Sequence, residues 1–195
     1  SSKSAAGGYA SRSKNEAMHS RQIIAADNAK ARTIMWQSEA AENGAFVEYR
    51  VKGKEQIISA PATNEPFTDD KITTYLHAVT LSNLTPDTKY EYRVGYGDKR
   101  SEWQDFATAG QGSFKAIIFP DSQSNDYRGW EKLAQAAGKA NQDAAFFVNM
   151  GDLVDNGEDH TQWRAWFDSL RGIIDKIPVA PLLGNHETYD LNWKV

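Results

Sequence analysis

Three short segments of the chain concentrate groups able to hold hard cations or to move protons. "DSQ" carries Asp121 and Gln123, "GDLVDNG" carries Asp152 and Asp155, and "GNHE" sets Asn185 beside His186. Carboxylate and amide oxygens suit hard metal ions, and an imidazole exchanges a proton near neutral pH. The second segment also has an ordinary reading. Asn-Gly favours a tight turn, and an acid behind a strand often caps the helix that follows. Position separates the readings, because the segments directly follow the apolar runs "FKAIIFP", "AAFFVNM" and "VAPLL".

Helical patterns lie between those runs. "YRGWEKLAQAAGKANQ" predicts a helix with Trp130, Leu133, Ala134 and Ala137 on one face. "DHTQWRAWFDSLRGII" predicts a second, whose Trp163, Trp166, Phe167, Leu170, Ile173 and Ile174 recur at helical spacing and are expected to pack in the core. Strand, helix, strand, helix, strand implies a parallel sheet with right-handed crossovers, expected to be covered on both faces. Ligands of such sheets bind just beyond the carboxyl ends of the strands, where all three segments lie. Helix capping does not account for that recurrence, so the site reading is favoured.

The preceding segment has a different period. "RQIIAA", "RTIMWQ", "AFVEYRV", "EQIISA", "TTYLHAVTL", "YEYRVGY" and "WQDFAT" read as short strands separated by Gly, Pro, Asn and Asp, which predicts a β-sandwich. In "YEYRVGY" the residues Tyr90, Tyr92, Val94 and Tyr96 share one face, while Glu91 and Arg93 take the other. "LTPDTKY" sets Leu84, Pro86 and Thr88 ahead of Tyr90 in the spacing of a tyrosine corner, in which the hydroxyl ties its strand to the preceding turn. The expected organisation is a flexible N-terminal arm over residues 1–20, a sandwich over 21–109, the linker "AGQGS", and an α/β unit over 114–195. Of the histidines outside "GNHE", His19 falls in the arm, His77 in a sandwich strand, and His160 at a helix start, where a solvent-exposed or capping role is expected.

Composition sets the limits. The 195 residues are 40% hydrophobic, 11% aromatic and 25% charged, as expected for a globular chain. A net charge of -4 and the lack of any Lys/Arg block show no nucleic-acid surface. Without cysteine, neither a disulfide nor a thiolate metal site can form, so a metal would take oxygen and imidazole ligands. No apolar stretch approaches the roughly 20 residues of a membrane-spanning helix.

"DSQ", "GDLVDNG" and "GNHE", in this order behind successive strands, resemble the first motifs of the calcineurin-like metallophosphoesterases. The preceding sandwich, similar to fibronectin type III and immunoglobulin-like domains, narrows the resemblance to the purple acid phosphatase-like branch. The resemblance implies a phosphoric ester hydrolase with two divalent or trivalent metal ions, the identities Fe, Zn, Mn, Mg and Ca not being distinguished. Carried over residue by residue, Asp121 would bind one metal, Asp152 would bridge both, and Asn185 would bind the second. His186 would protonate the leaving group while a metal-bridging hydroxide attacks phosphorus. A phosphate ester is the implied substrate, and the implied location is extracellular or periplasmic.

Two positions depart from the family pattern. Gln123 stands where many members place His, and either offers a carbonyl oxygen to metal or hydrogen-bonds the loop. Asp155 stands where purple acid phosphatases proper place the Tyr that gives their colour. It is expected to orient the loop. The family draws further histidines from its second half, so the chain is expected to be the N-terminal part of a larger protein and poorly active in isolation. A complementing segment, or self-association through an uncovered sheet face, is the expected partner. The alternative is a non-catalytic binding or adhesion module with a degenerate phosphatase-like domain.

Overall fold

The computed structural model describes residues 17–69, 71–124, 126–157 and 159–182. The first unit is a sandwich. One of its layers contains β1 (Met18–Ile23), β2 (Arg32–Ser38), β5 (Glu65–Asp69) and β6 (Ile72–Leu81). The other contains β3 (Phe46–Val51), β4 (Ile58–Pro61), β7 (Lys89–Tyr96), β8 (Lys99–Arg100) and β9 (Gln104–Ala107). Alternation decides which side chains meet. Ile34 and Trp36 from β2, with Val79 and Leu81 from β6, face Val47, Tyr90, Tyr92, Val94 and Phe106 of the opposite layer. The tyrosine corner forms as expected, with the Thr85 amide donating to the Tyr90 hydroxyl at 2.9 Å.

The second unit runs β10 (Ala116–Phe119), α1 (Arg128–Ala140), β11 (Phe146–Asn149), α2 (His160–Ser169) and β12 (Val179–Pro181), with β10, β11 and β12 parallel. Asp159 caps α2 by accepting from the amides of Thr161 and Gln162. His160 is thus the first helical residue and not the cap.

Coverage differs from the sequence expectation. Trp130 and Ala134 of α1 and Trp166 and Phe167 of α2 share one core with Phe119, Phe147 and Val179, so both helices lie on the same face. The strands stand in sequence order, and successive crossovers of one hand return on one side. On the other face Phe114 and Ile118 are exposed, as are Met150 and Leu182 at the strand ends. The α1 stripe is also shifted: Leu133 is exposed, while Gly138 is buried against Ile173.

The two units share one sheet. Its order is β10-β11-β12-β1-β2-β6-β5, with β1 parallel to β12 at Ile23 and Val179 and antiparallel to β2. Met18, His19 and Ser20, expected to lie in the flexible arm over residues 1–20, are instead strand residues. Met18 is buried, and the His19 ring stacks on Phe167 of α2 at 4.5 Å. The Arg21 guanidinium lies 4.6 Å from the same phenyl ring. At the same junction, the Asp175 carbonyl accepts from Gln22 Nε2 at 2.6 Å and from the Tyr92 hydroxyl at 2.7 Å.

Candidate metal centre

β10 and β11 place the two acid-bearing loops side by side. Their parallel register aligns Phe119 with Asn149, so the chain leaves the sheet at matched heights in both units. The loops are then joined by backbone: the amides of Ser122 and Gln123 both donate to the Asp152 carbonyl, at 3.2 and 2.8 Å. Asp152 accommodates this with a left-handed φ of 43°, preceded by Gly151 at 97°. Asp and Asn tolerate that region better than other residues with a side chain, and Gly adopts it freely, which explains a Gly-Asp pair at this turn.

Beneath the loops is a buried polar cluster. The Ser122 hydroxyl lies 3.1 Å from Asn149 Oδ1 and 3.0 Å from the Leu153 carbonyl, either of which can accept its proton, and it accepts from Trp166 Nε1 at 3.0 Å. Asn149 Nδ2 donates to the Pro120 carbonyl at 2.8 Å. This one cluster ties together both strand ends, the second acid loop and α2. The sequence reading singled out none of Ser122, Asn149 or the indole nitrogen of Trp166 as site-forming. The available signal was a polar residue at the end of each apolar run. Tyr127, just ahead of α1, packs against the same core. Burial pushes its hydroxyl up to about 12, against the opposing influence of the Asp155 and Ser124 backbone.

Asp121 and Asp155 are exposed, and Asp152 and Gln123 are half-buried. The Gln123 Oε1 atom is itself buried and has no hydrogen-bond partner among the described residues. Asn185 and His186 lie outside the described residues. Among the described residues no three His, Cys, Asp or Glu side chains gather closely enough to hold a metal ion. The donors present are two carboxylates and one unpaired amide oxygen on adjoined loops. That set suits hard cations, and the buried amide oxygen has a desolvation cost that coordination would offset.

Family models match in the same order as the two structural units. The purple acid phosphatase N-terminal domain matches residues 20–108, and calcineurin-like phosphoesterase matches residues 114–195. Together the two units resemble the purple acid phosphatase-like metallophosphoesterases. These phosphoesterases generally house a dinuclear metal centre. A relative from Arabidopsis thaliana, named probable inactive purple acid phosphatase 1, is 26% identical over 192 residues, covering 80% of this chain and 30% of its own. Among solved structures, the purple acid phosphatase from yellow lupin (Lupinus luteus) seeds has a TM-score of 0.76 at 22% identity, covering 89% of this chain and 36% of its own. PhoD has a TM-score of 0.57 at 12% identity, covering 86% of this chain and 38% of its own. The chain thus spans about a third of the length of these relatives. The structural likenesses establish the fold: a fibronectin-like sandwich followed by the α/β start of a metallophosphoesterase domain.

Proposed function

We propose that this chain supplies the first metal-binding loops of a phosphoesterase that hydrolyses phosphate esters with two divalent or trivalent metal ions, Fe, Zn, Mn, Mg or Ca. The observation that carries the reading is the pair of hydrogen bonds from the 121–124 loop to the Asp152 carbonyl, beside the unpaired Gln123 oxygen. Asp121, Gln123 and Asp152 would hold the metals, with Asn185 and His186 assigned from the motif as further ligand and proton donor. Bound metal would supply Lewis acidity toward the phosphoryl oxygens. The chain's own contribution is positional: the Ser122 cluster fixes both loops, and Asp152 provides negative charge where two cations would repel each other. Asp155 would orient its loop.

Catalysis is proposed for the whole protein, of which these loops form part, and its location is proposed to be extracellular or periplasmic. No helix among the described residues is long and apolar enough to cross a membrane. The open face bearing Ile118 is proposed to receive a complementing segment. A second reading, a domain that binds metal or phosphate without turnover, is favoured by Gln123 in the usual histidine position and by the name of the Arabidopsis relative.

Calorimetric titration with manganese, together with phosphomonoester and phosphodiester assays of the whole protein, tests both. Asp152→Asn keeps the left-handed backbone accessible and removes the charge, so metal affinity is expected to fall at least about tenfold, with activity falling too. Unchanged metal binding in that variant would reject the site. Metal binding without turnover by the unaltered whole protein would select the second reading.

A further inference from the structure

The loop over residues 39–45 carries the chain from β2 in one layer of the sandwich to β3 in the other, and an acid fastens it from within. Only Glu42 and Ala45 of this loop are buried, so the Glu42 side chain is its largest anchor. Its other ties among the described residues are single hydrogen bonds. The Ala45 amide donates to the Glu42 carbonyl at 3.1 Å, and the Ala62 amide to the Ala45 carbonyl at 2.8 Å. The Ser38 hydroxyl donates to the Ala40 carbonyl at 2.7 Å, and Asn64 Nδ2 to Asn43 Oδ1 at 2.7 Å in an exposed contact.

A carboxylate is poorly served in this place. Glu42 Oε1 is buried without a hydrogen-bond partner among the described residues, and Oε2 lies 3.7 Å from His77 Nε2, beyond hydrogen-bond reach. The end of β2 supplies Trp36, Gln37 and Ser38, and the 62–64 segment supplies Ala, Thr and Asn, none of them charged. His77 of β6 is the titratable neighbour, and Lys99 of β8 acts on the carboxyl from an exposed position that water screens. An ionised Glu42 is therefore a buried charge without compensation, whereas a protonated one is neutral. Burial raises this carboxyl to about 7, in agreement.

The count of protons points the same way. His77 Nδ1 lies 3.1 Å from the Thr63 carbonyl, which only accepts, so Nδ1 carries the ring proton and Nε2 a lone pair. Burial lowers the pKa of this ring, which stacks on Trp36 at 5.2 Å. The Ser38 hydroxyl has one proton for two acceptors, the Ala40 carbonyl and His77 Nε2 at 2.8 Å. While Glu42 is protonated, its O–H is a second donor beside Nε2, and Ser38 stays on Ala40. Once Glu42 ionises, that donor is gone and the carboxylate opposes the Nε2 lone pair. Ser38 then turns to Nε2 and releases the loop at Ala40.

We propose that residues 39–45 form a pH-operated flap on the sandwich, closed while Glu42 is protonated and open, with the carboxylate hydrated, when it is ionised. The flap is thus shut on the acid side of the transition and opens as pH rises through it.

Deuterium uptake of the flap in the full chain, at about pH 6 and about pH 8 on either side of about 7, tests this once corrected for the intrinsic pH dependence of amide exchange. Protection of the flap is expected to fall at least about tenfold between the two, while central β2 and β6 keep theirs. Glu42→Gln keeps the shape of the neutral acid and cannot ionise, so its flap should stay protected at both. In the unaltered chain, NMR of the Glu42 carboxyl carbon and the His77 ring gives a measure that needs no variant: the carboxyl should titrate with the flap and the ring should not. The proposal is overturned if flap protection is the same at both pH values, if the loss persists in Glu42→Gln, or if His77 titrates with the flap in place of Glu42.

Discussion

The Gln123 amide donates to the Asp152 carbonyl at 2.8 Å, joining residues from two different strand-end loops. The contact is backbone to backbone, so it survives side-chain substitution at either position. Ser122, between Asp121 and Gln123, is the vulnerable point. Ser122→Ala would leave the Trp166 indole N–H without its acceptor, and Asn149 Oδ1 and the Leu153 carbonyl without this donor. The expected cost is about 1–3 kcal/mol, measured by denaturant unfolding, with manganese affinity falling in parallel. A loss below about 0.5 kcal/mol would show that water replaces the hydroxyl.

Gln22 should couple the two units. Its amide donates to the carbonyls of Asp175 and Asp105, and its oxygen accepts from Arg32 at 2.6 Å inside the structure. Gln22→Ala removes one acceptor from a buried guanidinium and one donor from each carbonyl, an expected loss of about 2–3 kcal/mol. With β1 paired to both β2 and β12, the unaltered chain is expected to unfold in one transition followed equally by tryptophan fluorescence and far-ultraviolet circular dichroism. Two separated transitions would show that the sandwich folds on its own.

Tyr90→Phe tests the corner. The side chain is buried and stacks on Phe106, so the substitution keeps the ring and removes only the acceptor of the Thr85 amide. A loss of about 1 kcal/mol is expected in denaturant unfolding.

Glu42 should give the sandwich a pH dependence. It is 2% exposed, and burial raises its carboxyl from 4.5 to about 7, partly offset by Lys99. A folded-state pKa above the unfolded one favours the native state at low pH, and this contribution is lost as pH rises from about 4.5 through about 7. His77 works in the opposite direction: burial lowers its pKa, against the Thr63 carbonyl, so its share is lost as pH falls. Its Nε2 lies 3.7 Å from Glu42 and 2.8 Å from the Ser38 hydroxyl. Comparison with Glu42→Gln isolates the carboxyl. The stability of the unaltered protein relative to the variant should fall across that window, and a constant difference would contradict the assignment.

Elements with strong periodicity were legible before folding. Alternation in "YEYRVGY" places Tyr90, Tyr92 and Val94 in the sandwich core, and the aromatic stripe of α2 packs where its spacing requires. The placing of the acids just behind successive apolar runs was legible too, and the parallel register of β10 and β11 then set the two loops side by side. Strand β5 was missed because Pro66 interrupts a short polar run; among the described residues it pairs only with β6, at the sheet edge, where a proline is tolerated.

What the amino-acid sequence determined by itself was local: period, turn chemistry, and the residue types at strand ends. Tertiary structure decided what depends on distant partners. Met18 and His19 are polar-flanked and unpatterned in sequence, yet become ordered because Gln37 of β2 pairs with Met18 and Phe167 stacks on His19. Both helices fall on one face because strand order, which no local pattern encodes, puts β11 between β10 and β12.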